Sequence, residues 1–139
     1  METKNAKLAT LLNKYFKLED APAFGGGKLS AEDDKFWCGL AHPFSFIIWL
    51  WKRKESPAVD AHGKESTNMA ITVFLCVSLP LTIIFTLLGG LFLKIHLLWL
   101  LWLISTVLNL GILAMFIYGL LKAREGKLVR YPFNLNLIK

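Results

Sequence analysis

The sequence predicts an all-α integral membrane protein with three transmembrane helices, an N-terminal amphipathic helix and an extended C-terminal tail. Two apolar runs, residues 69–93 and 95–121, are separated by the single charge of Lys94. Each exceeds the roughly 20 apolar residues needed to cross a bilayer core. Neither alternates with period two, so helices rather than barrel strands satisfy their backbone in lipid. Finally, 55% of the 139 residues are hydrophobic and the mean hydropathy is +0.48, more apolar surface than one small soluble domain buries.

The net charge of +6 does not point to nucleic acid, because the bases flank apolar spans instead of interleaving with aromatics on one polar face. In residues 1–18, Leu8, Leu11, Leu12, Tyr15 and Phe16 align on one helical face, with Lys7, Lys14 and Lys17 away from its centre. This amphipathic arm lacks the apolar core of a signal peptide and the arginines of a transit sequence. It reads as an anchor lying on lipid headgroups or as an arm packed on a partner subunit. Pro22 and Gly25-Gly26-Gly27 make residues 19–29 a linker.

Ser30 before Glu32, Asp33 and Asp34 is a helix start: the hydroxyl accepts an orphan amide and the acids favour the positive end of the dipole. The apolar stretch 36–51 that follows, with Trp37, Trp49 and Trp51 at interfacial positions, is expected to be the first span. Pro43 in its middle leaves a re-entrant hairpin as the rival arrangement. Charges at 52–55 end this segment. Ser56-Pro57 is an N-cap and first-turn pair, so the next helix starts near Pro57, pairs Asp60 with Lys64 and enters lipid at Met69. Pro80 removes the amide that would bond the Cys76 carbonyl, which predicts a kink near Pro80.

The last span carries Ser105, Thr106 and Asn109 near its middle, polar groups expected to face another helix. Asn109 and Ser105 are the expected helix–helix contacts. The organisation is thus 1–29 arm and linker, 30–122 three-helix membrane domain and 123–139 basic tail. With three spans, the 52–68 loop and the tail share the side richer in bases, so the N-terminus is expected outside and the C-terminus in the cytoplasm, in a multi-pass bacterial inner-membrane protein.

No zinc spacing, phosphate-cradling glycine loop or nucleophile elbow is present, so the chain does not read as an enzyme. Cys38 and His42 at i,i+4, with His96 on the same membrane side, outline one haem, pigment or metal arrangement but lack the dense ligand pattern such sites use; no cofactor is expected. Cys38 and Cys76 lie in different segments and read as small apolar residues. The charged residues instead suggest contact: Asp60, His62, Lys64 and Glu65 face Arg124, Lys127 and Arg130 if loop and tail pack together. With Lys54 and Tyr131, these form the expected partner or lipid contact surface.

The string from Lys54 through Asp60, His62 and Glu65 to Asn68, together with Ala123-Arg124-Glu125-Gly126-Lys127 and Tyr131-Pro132, resembles the signature of a family of small bacterial membrane proteins of unknown function. That family is grouped with the chloroplast inner-envelope translocon (Tic) channel subunit. The resemblance covers roughly residues 31–139 and leaves the arm outside. It implies a helical membrane fold and, as one alternative, a protein-translocation channel component acting as a homo-oligomer. The reading preferred on the residues is a non-catalytic accessory or scaffold subunit whose partners are membrane lipids and other integral membrane subunits.

Overall fold

The computed structural model describes residues 10–11, 15–90 and 95–139, with side chains at all of these except 88–90 and 95–98. Most of the expected amphipathic arm and Lys94 lie outside the described residues, as does the side chain of His96. The elements in order are strand β1 (Lys17–Asp20), helices α1 (Ala31–Leu40), α2 (Ser45–Lys52) and α3 (Pro57–Val73), a π-helical turn (Phe74–Ser78), α4 (Leu79–Gly90), α5 (Ile95–Arg124) and strand β2 (Lys127–Arg130).

The two long spans follow from sequence as expected. Ser56 caps α3 by accepting the Val59 amide at 3.2 Å, and Pro57 occupies the first turn. Ahead of Pro80 the helix widens into the π-helical turn, where the Leu79 amide bonds the Phe74 carbonyl. The wider turn accommodates a proline ring that would otherwise press on the Cys76 carbonyl. Two helices, Pro57–Leu87 and Trp99–Arg124, are long and apolar enough to cross a membrane, and only 6% and 0% of their most apolar stretches are buried within the protein. A core helix of a soluble domain would be covered by its own chain; these present their apolar surface outward.

The first apolar segment departs from the expected span. Ser30 caps α1 through the Asp33 amide at 3.1 Å, but the chain turns at residues 41–44, beside Pro43, and returns as α2. Helices of 10 and 8 residues reach about 15 and 12 Å, too short for a hydrocarbon core of about 30 Å. The three-span count is therefore replaced by two candidate spans and a short helical hairpin. Its open end is closed by the Lys28 amide bonding the Glu55 carbonyl at 2.7 Å. The glycine-rich stretch expected as a linker is packed against this closure, since a Cβ on Gly27 would lie 2.2 Å from the Glu55 oxygen.

The arm and the tail also differ from expectation. β1 and β2 pair antiparallel, Lys17 opposite Arg130 and Asp20 opposite Lys127, adding a two-stranded ribbon to an otherwise helical fold. Residues 17–20 thus lie beside the tail. Two clusters complete the interior. Cys38, Ala41, Ile48, Ala58, Val59 and Ala123 join the hairpin to α3 and α5, while Phe16, Met69, Val129 and Tyr131 join the ribbon to the same helices.

Close approach of α2 to α3 depends on Gly63, where a Cβ would meet the Trp49 side chain at 2.6 Å. Gly63→Ala is expected to destabilise the hairpin by about 1–3 kcal/mol through overpacking. Limited proteolysis in the 41–56 region, compared with wild type in the same detergent, checks this; unchanged cleavage would contradict the packing.

Candidate functional site

Where α3 leaves its polar first turns, one stripe of its surface binds the tail. Glu65, Asn68 and Thr72 recur at helical spacing and therefore share a face. Tail residues 131–138 lie along that face with few backbone partners of their own, and the α3 side chains supply them. Glu65 Oε1 accepts the Tyr131 amide at 2.9 Å and the Asn134 side-chain amide at 2.9 Å, while Oε2 accepts Arg130 Nη1 at 3.0 Å. Asn68 brackets Ile138, donating to its carbonyl at 2.9 Å and accepting its amide at 2.7 Å. Thr72 Oγ1 accepts the Leu135 amide at 3.1 Å. Left-handed backbone at Phe133 and Asn136 (φ 65° and 48°) turns the tail so that these contacts fall in sequence.

Behind this clasp lies a chain of buried rings. Tyr131 Oη is 2.7 Å from His42 Nδ1, and His42 Nε2 is 3.3 Å from His62 Nδ1. Both histidines are 0% exposed and Tyr131 is 4% exposed. Neutral imidazole has one donor and one acceptor, so a consistent arrangement has Tyr131 donating to His42 and His42 donating to His62. Burial, then the neighbouring His62 ring, pushes the His42 pKa down to about 3. Burial, then the Glu65 carboxylate, pushes the Tyr131 phenol upward. Gly119 on α5 makes room for the meeting, because a Cβ there would lie 2.6 Å from His42 Nδ1 and closer still to Tyr131 Oη. Ser66 fastens the hairpin turn by donating to the Ala41 carbonyl at 2.5 Å.

The expected contact residues are thus divided. Glu65, Arg130 and Tyr131 come together as a loop-to-tail clasp. His62, Glu65 and Tyr131 are interior, however, not displayed on a surface. Asp60 does not meet the tail: it pairs with Lys64 at 2.7 Å, as expected, and also accepts the Trp49 indole at 2.8 Å. Lys127 pairs with Asp20 of β1, and Arg130 also with Glu19 at 3.0 Å. Lys54 and Arg124 are exposed, the latter passing beside Gly39.

Asn109 and Ser105 line a cleft against Val77, Ser78, Leu81, Thr82 and Phe85 of the other span. Asn109 is exposed and donates to the Ser105 carbonyl of its own helix at 2.7 Å and to Ser105 Oγ at 3.3 Å. Thr82, Thr86 and Thr106 likewise bond carbonyls one turn back, at 2.8, 2.8 and 2.9 Å. Each of these side chains is hydrogen-bonded within its own helix.

As for metal or haem, His42 has both ring nitrogens engaged, and burial together with Asp34 pushes the Cys38 thiol up to about 12, away from the thiolate a metal requires. Among the described residues there is no group of three or more His, Cys, Asp or Glu placed to hold a metal ion. Sequence reasoning missed Asn68, Thr72, Asn134 and the His42–His62 contact. The polar stripe 65, 68, 72 at the edge of an apolar run was the available signal.

Two outward-facing apolar helices joined to a folded polar cap define a small helical membrane protein. The chain belongs to the magnetosome magnetite crystal formation protein family (MamF/MmsF), which it matches over residues 33–138. This agrees with the extent of the bacterial membrane-family resemblance, whereas the likeness to the chloroplast translocon finds no support. Nothing matched among curated proteins or among solved structures.

Two outcomes follow. Glu65→Ala strands the Tyr131 amide, Asn134 and Arg130 and is expected to cost about 2–4 kcal/mol, read as a lower thermal midpoint with the spans still helical by circular dichroism. Separately, His42 is held neutral in the fold, so the unfolded state binds its proton first. Stability from His42 is complete above its ordinary 6.5 and is lost as pH falls from there towards 3. His42→Gln should flatten that acid limb in a thermal-midpoint titration.

Proposed function

We propose that the protein is a non-catalytic accessory subunit of a bacterial magnetosome membrane, anchored by two spans and acting through contacts of its cap and of its lipid-facing helices. The observation that carries this reading is the unburied apolar surface of both spans, which is built to be covered by lipid or by other integral membrane subunits. The family description supports a setting in magnetite formation. From Lys17 onward the cap side carries more Lys and Arg than Asp and Glu, a balance that favours anionic headgroups and acidic partner surfaces. The role is assigned to contacts within the membrane around the mineral.

The strand pairing also supports a topology. With β1 beside β2 and the hairpin too short to cross, every Lys and Arg from Lys17 onward lies on the cap side except Lys94, between the spans. The positive-inside tendency then puts the cap, including residues 17–20 and the tail, in the cytoplasm.

In a background with Cys38 and Cys76 replaced, Lys28→Cys and Leu137→Cys should react with an impermeant thiol reagent on isolated, sealed magnetosome vesicles, while Lys94→Cys should stay protected until detergent is added. Protection of Lys28→Cys with Leu137→Cys labelled would restore a third span and overturn the topology. Mass measurement after mild detergent extraction tests the accessory role: a heteromeric complex is expected, and a pure homo-oligomer would contradict it.

A further inference from the structure

The hairpin of α1 and α2 has an outer face that the described residues leave uncovered. Phe44, Phe46, Ile47, Leu50 and Trp51 are 46–66% exposed, while Ser45, Ile48 and Trp49 on the opposite side of α2 are buried against the cap. In a water-soluble setting such a contiguous apolar face is a liability. Its position says what covers it.

The turn of the hairpin is fixed to Ser66 on α3 and lies against Gly119 on α5. These are the levels at which both helices leave their apolar runs, just beyond Met69 on one and just short of Lys122 on the other. The hairpin's apolar face is therefore continuous with the outward surface of the spans. Its other end carries an aromatic and basic collar: Lys52 Nζ, paired with Glu55 at 2.8 Å, lies 5.2 Å from the Trp37 ring centroid and 4.8 Å from that of Trp51, Arg53 lies 4.8 Å from that of Trp49, and Arg53 and Lys54 are the exposed bases. Tryptophan and snorkelling bases in this order match the headgroup zone, with the phenylalanines directed to the acyl boundary.

We infer that the hairpin is a wedge inserted shallowly into the cap-side leaflet, its partner an anionic lipid surface, and that the protein thereby favours membrane curved convexly towards the cap. This rests on the membrane placement proposed above and adds to it. Two spans displace area in both leaflets. The hairpin, with helices of about 15 and 12 Å against a core of about 30 Å, displaces area in one only. Such asymmetry lowers the energy of the protein in a membrane whose cap-side leaflet is expanded.

The test uses the full chain in giant vesicles of phosphatidylcholine and phosphatidylglycerol, from which a narrow tube is pulled. Density in the tube relative to the flat membrane is read for molecules whose cap faces outward, selected by quenching a C-terminal fluorophore with an impermeant reagent. Wild type should be enriched roughly two-fold or more, the curvature sensitivity of a shallow apolar insertion. Phe46→Ser with Ile47→Ser should bring the ratio close to unity, with the tail as protease-resistant as in wild type. If the double variant loses that resistance, Ile47→Ser alone, at the most exposed of these positions, takes its place and should lower the ratio. Absence of wild-type enrichment overturns the wedge and leaves the face to a protein partner; equal enrichment of folded wild type and variant overturns the hairpin as its cause. Release of the wild type by alkaline extraction would instead refute the membrane placement itself.

Discussion

Of two buried carboxylates among the described residues, Asp34 and Glu65, Glu65 organises the cap. Glu65 is 2% exposed, and a charge so placed must be fully hydrogen-bonded or it destabilises the fold by several kcal/mol. Its polar tail partners, Arg130 Nη1, the Tyr131 amide and the Asn134 side chain, all come from within five residues. Satisfying Glu65 therefore fixes where the tail runs. Once Tyr131 is fixed, its ring reaches His42 and sets the hairpin turn; once Arg130 is fixed, β2 stands where β1 can pair with it. Strand β1, hairpin and tail are positioned by one requirement that lies at the polar edge of a membrane span.

The spans obey the opposite rule. Inside the cap, several polar groups bond over long sequence separations, such as Asn68 with Ile138 and His42 with Tyr131. Within the spans, Thr82, Thr86, Thr106 and Asn109 turn back on their own helices. A cap built from long-range hydrogen bonds is specific and rigid, whereas spans with locally satisfied polar groups are free to be covered by lipid or by neighbouring helices. This division suits an accessory membrane protein, whose contacts with its surroundings are made without opening its interior.

Much of this was legible in the sequence where local chemistry decides. Ser30 and Ser56-Pro57 start helices, Pro80 disturbs the helix just ahead of itself, Asp60 pairs with Lys64, and the long uncharged runs are the outward-facing helices. Legibility ended where distant segments compete. Residues 36–51 carry the hydropathy of a span, but Pro43 and the burial of His42 against Tyr131, 89 residues away, favour a turn. Lys17–Asp20 has no strand pattern of its own and becomes one because the tail offers an edge with complementary charges. His62 looks like a surface residue among Asp60, Lys64 and Glu65, yet helical geometry turns it inward to meet His42. Asn109 and Ser105 line a cleft against Val77, Ser78, Leu81, Thr82 and Phe85 of the other span, while the Asn109 amide bonds within its own helix.

The central claim is that the tail is a structural part of the cap, held by α3, and amide hydrogen exchange of the protein in lipid nanodiscs tests it most directly. The amides of Tyr131, Leu135 and Ile138, bonded to Glu65, Thr72 and Asn68, are predicted to exchange far more slowly than those of an unstructured peptide. Exchange at free-peptide rates at all three positions, with the spans still protected, would contradict the account.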